Sequence, residues 1–128
     1  MSTAYLQIPV IIPAYEPGEN LIPFIDSLSE KGIQRIVVVD DGSGKAYESI
    51  FDEICRRDNC MVLRHAVNLG KGRALKTAFN ECMNRFPEAP GVVTADSDGQ
   101  HTPEGILSCM QELSANPDAL VLGCRDFD

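Results

Sequence analysis

Five short apolar runs, at residues 8–12, 35–39, 61–63, 91–95 and 119–122, alternate with four longer stretches in which apolar positions recur every three or four residues. The runs are rich in valine and isoleucine and lack polar alternation, as expected of strands buried on both faces of a parallel sheet. Leu21, Ile22, Ile25 and Leu28 line one helical face, ended by Gly32, and Tyr47, Ile50, Phe51 and Ile54 line a second. Leu75, Ala78, Phe79, Cys82 and Phe86 line a third, ended by Pro87. Ile106, Leu107, Met110 and Leu113 line a fourth, opened by Thr102-Pro103 and closed by Asn116-Pro117. These stripes are expected to be core. The order β-α-β-α-β-α-β-α-β predicts an α/β layered fold with right-handed crossovers. Ligands of such sheets bind beyond the carboxyl ends of the strands, so the residues that follow each run are where function is to be sought.

Four consecutive strand ends carry polar or glycine-rich clusters: Pro13-Ala14-Tyr15-Glu16-Pro17-Gly18, Asp40-Asp41-Gly42-Ser43-Gly44, Asn68-Leu69-Gly70-Lys71-Gly72-Arg73 and Asp96-Ser97-Asp98-Gly99-Gln100-His101. Asp96 and Asp98 point the same way in an extended segment. Their repulsion is relieved by a cation, and Gln100 offers a neutral oxygen on the same side. Hard oxygen ligands of this kind suit Mg²⁺ or Mn²⁺ shared with phosphate oxygens. A solvated turn is the bland alternative, since Asp-Gly pairs favour turns. Residues 68–73 read as a glycine-rich turn opening a helix, whose free N–H groups and dipole attract an anion, with Lys71 and Arg73 adding positive charge. Asp40 and Asp41 can accept hydrogen bonds from a base or ribose, or one of them can serve only to cap the next helix. Tyr15 can stack on a base or lie half-buried without a ligand. His101 is equally a phosphate or acceptor contact and a plain surface residue.

The net charge of −8 argues against nucleic acid or an anionic membrane surface as partner, but not against a nucleotide bridged by a metal. With 128 residues and 44% hydrophobic content, a single domain with a real core is expected. The five cysteines form no C-x-x-C pair and read as reduced thiols of a cytoplasmic protein, which makes zinc an unlikely cofactor. No apolar stretch reaches the ~18 residues of a membrane span. No G-x-x-x-x-G-K-[ST] loop is present, and no G-x-G-x-x-G follows the first run, which excludes a P-loop and a dinucleotide-binding fingerprint.

The series Val10-Ile11-Ile12-Pro13-Ala14-Tyr15, Val38-Val39-Asp40-Asp41-Gly42-Ser43, Asn68-Leu69-Gly70-Lys71-Gly72 and Asp96-Ser97-Asp98-Gly99-Gln100-His101-Thr102-Pro103-Glu104 resembles family 2 glycosyltransferases of the GT-A fold, above all the dolichyl- and polyprenyl-phosphate sugar transferases. The resemblance implies a Rossmann-like layered fold with a mainly parallel sheet flanked by helices. It implies an inverting enzyme that moves a sugar from a UDP- or GDP-sugar to a hydroxyl or lipid-phosphate acceptor with Mg²⁺ or Mn²⁺. Pro13, Tyr15, Glu16, Asp40, Asp41, Lys71, Asp96, Ser97 and Arg125 would contact the nucleotide, and Asp96, Asp98 and Gln100 the metal. Two departures stand out. Glu16 sits one place early against the family's Pro-x-Tyr-Asn-Glu pattern. The sequence also stops at Arg125-Asp126-Phe127-Asp128, so residues 1–128 are expected to form one nucleotide-sugar-binding domain cut short at its C-terminal end, with the general base and any membrane contact in the absent part. Self-association through the surface so exposed is a further expectation. The rival expectations are a sugar-phosphate nucleotidyltransferase, which should carry an arginine-lysine loop after the first strand that 13–18 lacks, and a non-catalytic nucleotide-binding or receiver module.

Overall fold

The computed structural model describes residues 4–97 and 102–115. A short 3-10 turn at Ala4–Gln7 leads into β1 (Val10–Ala14), α1 (Leu21–Glu30) and β2 (Ile36–Asp41). A second 3-10 turn, Lys45–Tyr47, precedes α2 (Glu48–Cys55), and β3 (Cys60–His65), α3 (Lys71–Arg85), β4 (Val93–Thr94) and α4 (Pro103–Ala115) follow. The expected alternation holds through α4. The fifth strand, expected at 119–122, lies outside the described residues, as does the Asn116-Pro117 stop.

All described strand pairs are parallel, in the order β3-β2-β1-β4. Winding proceeds outward from β1 through β2 to β3, and then α3 carries the chain back across to β4. A reversal of winding direction with unchanged handedness must put the return helix on the opposite face. The core divides accordingly. Val10, Ile12, Ala14, Ile36, Val38, Val93 and Ala95 pack with α1, α2 and α4. Ile11, Val37 and Val39 pack with Ala74, Ala78 and Cys82 of α3. β1 and β2 are buried on both faces, which is why their sequences show no alternation, while β3 at the edge of the order is only half-buried.

Helix ends follow their sequence signals. Gly32, at φ +93°, closes α1, with the Ile33 N–H bonded to the Leu28 carbonyl and the Gly32 N–H to the Ser29 carbonyl. Thr102 opens α4, its hydroxyl accepting from the Gly105 N–H at 3.0 Å. The expected stripes of α1, α2 and α4 are buried or half-buried, with Phe24 added to the first. The stripe of α3 is corrected: Phe79 is 43% exposed, and the buried line is the small-residue series Ala74, Ala78, Cys82. Small side chains at that spacing let α3 lie close to the sheet and rotate Phe79 to the outer side. Of the cysteines, Cys55, Cys60 and Cys82 are free, as expected, whereas Cys109 is disulfide-bonded. Burial pushes the Cys60 and Cys82 thiols up to about 11, so neither is a ready nucleophile.

Candidate functional site

The strand order reverses between β1 and β4, and a crevice at that point is where an open parallel sheet binds ligands. Proline helps to make the crevice. The Ile11 carbonyl accepts from the Ala95 N–H at 2.9 Å, so odd-numbered residues of β1 turn their backbone groups toward β4, while the Val10 N–H bonds on the β2 side. Pro13 falls on the β4 side and has no N–H to give. The β1–β4 ladder stops after the pairs Val10–Val93 and Ile11–Thr94, whereas the β1–β2 ladder continues to Ala14–Asp40. A proline in a central strand is thereby tolerated where the sheet is meant to open.

Beyond this point the four strand ends are tied together. The Glu16 N–H donates to the Ser43 Oγ at 2.9 Å, joining the loops after β1 and β2. Glu16 itself sits at φ +46°, a left-handed conformation that a non-glycine residue adopts only under local constraint. Tyr15 projects from the same turn with half its surface exposed, and the adjacent Glu16 charge, followed by partial burial, raises its hydroxyl pKa. An exposed ring on a fixed turn is available for stacking.

Asp40 and Asp41 are neighbours that face opposite sides of the sheet, as the period of two requires. Asp40 lies on the α1–α2 side, where its Oδ1 accepts from the Ser43 N–H at 2.9 Å and shapes the turn. Asp41 lies on the α3 side with its side chain 4% exposed. Its Oδ1 accepts from the Leu69 N–H at 2.9 Å and faces the His65 Nδ1 at 2.8 Å. Its Oδ2 accepts from the Gly70 N–H at 3.0 Å and the Asn68 Nδ2 at 3.1 Å. Burial pushes the Asp41 carboxyl up, but the Leu69 N–H, the His65 ring and the Gly70 N–H outweigh it and hold the group below its ordinary value. Neither aspartate caps α2, whose N-terminal neighbour is Tyr47.

The loop held by Asp41 delivers Lys71 as the first residue of α3. Lys71 Nζ reaches Asp96 Oδ1 at 2.6 Å, joining the β3–α3 loop to the end of β4. Lysine and aspartate side chains are 53% and 30% exposed, so this pair is open to exchange with a ligand. The intrahelical ladder of α3 begins with the Ala74 N–H to the Gly70 carbonyl, so the N–H groups of 71–73 precede it and have no helical acceptor.

Pro13, Tyr15, Glu16, Asp40, Asp41, Lys71, Asp96 and Ser97 all lie at this carboxyl edge. Asp98, Gln100, His101 and Arg125 lie outside the described residues. Among the described residues no group of three His, Cys, Asp or Glu side chains could hold a metal. Asp96, the one member of the expected metal set among the described residues, is a partly exposed carboxylate at the crevice, a hard oxygen donor. Sequence reasoning overlooked His65 and Thr77. His65 is the register partner of Asp41 in the β2–β3 ladder, a relation that no local motif displays.

A family model described as Glycosyl transferase family 2 matches residues 10–128. The chain is 27% identical over 129 residues to the UDP-N-acetylglucosamine–dolichyl-phosphate N-acetylglucosaminyltransferase of Methanococcus voltae, covering 91% of this chain and 51% of that one. It is 31% identical over 119 residues to the polyprenol monophosphomannose synthase of Mycolicibacterium smegmatis, covering 91% of this chain and 44% of that one. The chain thus spans about half the length of these curated relatives. Among solved structures, S. aureus TarS 1-349 superposes with a TM-score of 0.65 at 23% identity over 85% of this chain and 32% of its own, a likeness of fold. TarS 1-349 in complex with UDP-GlcNAc superposes with a TM-score of 0.51 at 29% identity over 72% of this chain and 26% of its own.

Proposed function

The chain belongs to glycosyl transferase family 2, and from that premise we propose that its carboxyl edge holds the nucleoside diphosphate of a UDP- or GDP-sugar for inverting transfer to a hydroxyl or lipid-phosphate acceptor. The observation that carries this reading is the contact of Lys71 with Asp96 across the reversal point, which puts a cation, an acid and an open helix N-terminus at one crevice. The activities for which the two curated relatives are named favour a polyprenyl-phosphate acceptor, and the TarS complex supports a UDP-linked donor.

In this reading Tyr15 offers its exposed face to the base, and Asp40, at the end of β2, accepts from base or ribose. Ser97 and Pro13 shape the floor between β1 and β4. The α3 N–H groups and Lys71 bind the diphosphate and stabilise the charge that grows on it as the glycosidic bond breaks. Asp96, Asp98 and Gln100 would hold Mg²⁺ or Mn²⁺, which supplies Lewis-acid neutralisation of the leaving diphosphate. With the diphosphate bound, Lys71 would exchange Asp96 for phosphate oxygens, leaving the Asp96 carboxylate to a divalent ion. Arg125 is assigned to phosphate by the resemblance alone. The residue that activates the acceptor is not assigned.

Calorimetric titration of UDP and GDP into the folded chain tests the reading. It predicts saturable binding of one of them that is strengthened at least tenfold by Mn²⁺. Absence of binding by either, with native circular dichroism, would refute it.

A further inference from the structure

Asp41, His65 and Thr77 form a partly buried connection that the proposed chemistry leaves unused. His65 Nδ1 lies 2.8 Å from Asp41 Oδ1, and His65 Nε2 lies 2.9 Å from Thr77 Oγ1. The His65 and Asp41 side chains are 8% and 4% exposed. An ionised carboxylate only accepts, so Nδ1 carries the proton toward Asp41. In the neutral ring Nε2 then accepts from the Thr77 hydroxyl. The three residues belong to β2, β3 and α3, the elements that surround the loop at 66–70. Asp41 grips that loop through two consecutive N–H groups and the Asn68 amide, while Thr77 fixes α3 less than two turns below Lys71. The far end of the arrangement is Lys71, at 2.6 Å from Asp96.

We propose that Asp41, His65 and Thr77 are positioning residues that set the place of Lys71 in the crevice, acting on the diphosphate of the donor through that lysine and not on its nucleoside. The inference rests on the reading of the crevice as a nucleoside diphosphate site. A network whose members are all satisfied holds its parts within a fraction of an ångström, and a charged side chain on a long stem needs such an anchor at its Cα to meet one ligand geometry. Thr77 has no path to a ligand of its own, because its hydroxyl is taken by the buried ring. The energetic coupling of such a network is of the size that changes binding about tenfold.

The test uses Thr77→Val, which keeps shape and removes the hydroxyl, and His65→Gln, with Lys71→Ala as the reference. Each variant is titrated with UDP or GDP, whichever binds the wild type, and with the matching nucleoside. Amide NMR signals of Leu69 and Gly70 are followed in parallel. The expected result has four parts: a loss of about tenfold in diphosphate affinity, nucleoside affinity within twofold of wild type, moved Leu69 and Gly70 signals, and no further loss when either change is added to Lys71→Ala. Equal losses for nucleoside and diphosphate would assign a general structural role, and losses additive with Lys71→Ala would sever the link to the lysine; either overturns the proposal. If neither diphosphate binds the wild type, the crevice reading itself falls, and the loop signals decide alone. Unmoved signals in His65→Gln then show that the network does not hold the loop, and moved ones show that it does while its action on a diphosphate falls with the crevice reading.

Discussion

Replacing Gly42 by alanine, compared with the same change at Gly44, isolates the close approach on which the site is built. Both glycines have positive φ, +73° and +92°, and Gly44, with ψ 177°, lies in a region open almost only to glycine, so the backbone alone costs an alanine roughly 1 kcal/mol or somewhat more at Gly42 and about 1–3 kcal/mol at Gly44. The surroundings differ. A Cβ on Gly44 would meet nothing within 4 Å, whereas one on Gly42 would lie 2.2 Å from the Val67 carbonyl carbon and 2.3 Å from the Asn68 nitrogen. Both obstacles are backbone, so the loop at 67–68 must retreat by about an ångström, an overpacking cost of about 1–3 kcal/mol. That retreat also stretches the bonds from Asn68, Leu69 and Gly70 to Asp41. Hydrogen bonds to a charged group are worth about 1.5–3 kcal/mol each, and partial loss of one or two brings the expected total to about 3–5 kcal/mol. Urea denaturation followed by far-ultraviolet circular dichroism gives both values. Gly44→Ala should cost about 1–3 kcal/mol with nucleotide affinity kept, and Gly42→Ala about 3–5 kcal/mol, with nucleotide affinity lost even where the protein remains folded. Equal, small effects at the two positions would refute the packing of the two loops described here.

Other outcomes follow from the same geometry. Lys71→Ala should leave the midpoint of urea unfolding nearly unchanged, because a partly exposed ion pair contributes about 0–1 kcal/mol, while calorimetry shows a loss of about tenfold or more in diphosphate affinity. The Asp41 carboxyl is depressed in the folded state, so its contribution to stability is complete above its unfolded value near 3.8 and is lost as the pH falls through the lower folded value. Asp41→Asn should therefore reduce stability at neutral pH and flatten the loss of stability on acidification below about pH 4, read from urea midpoints across pH. Ala78→Leu, between α3 and the sheet, should cost about 1–3 kcal/mol by overpacking, whereas Phe79→Ser, on the outer side of α3, should stay within about 1 kcal/mol in the same assay.

The layered fold was legible because buried parallel strands and amphipathic helices leave different periods in the sequence. The close of α1 and the start of α4 were legible because Gly32 and Thr102 act through local backbone bonds. The face of α3 was not, since apolar spacing alone does not reveal that Ala74, Ala78 and Cys82 approach the sheet and leave Phe79 outside. The convergence of polar residues at the strand ends was visible from strand order in the chain. The separate duties of Asp40 and Asp41 were implicit in their alternation, but the partners of Asp41 depend on the β2–β3 register and on a loop nearly thirty residues away. His65 and Thr77 entered only through that register.

Paramagnetic broadening by Mn²⁺ in the presence of UDP or GDP, mapped on the amide spectrum of the chain, tests the location of the nucleotide site most directly. Broadening should centre on Asp96 and Ser97 and reach Lys71, Gly72 and Tyr15, with no change at Met83 or Phe86 at the far end of α3. Broadening confined to that far end, or unaffected by the nucleotide, would contradict that location.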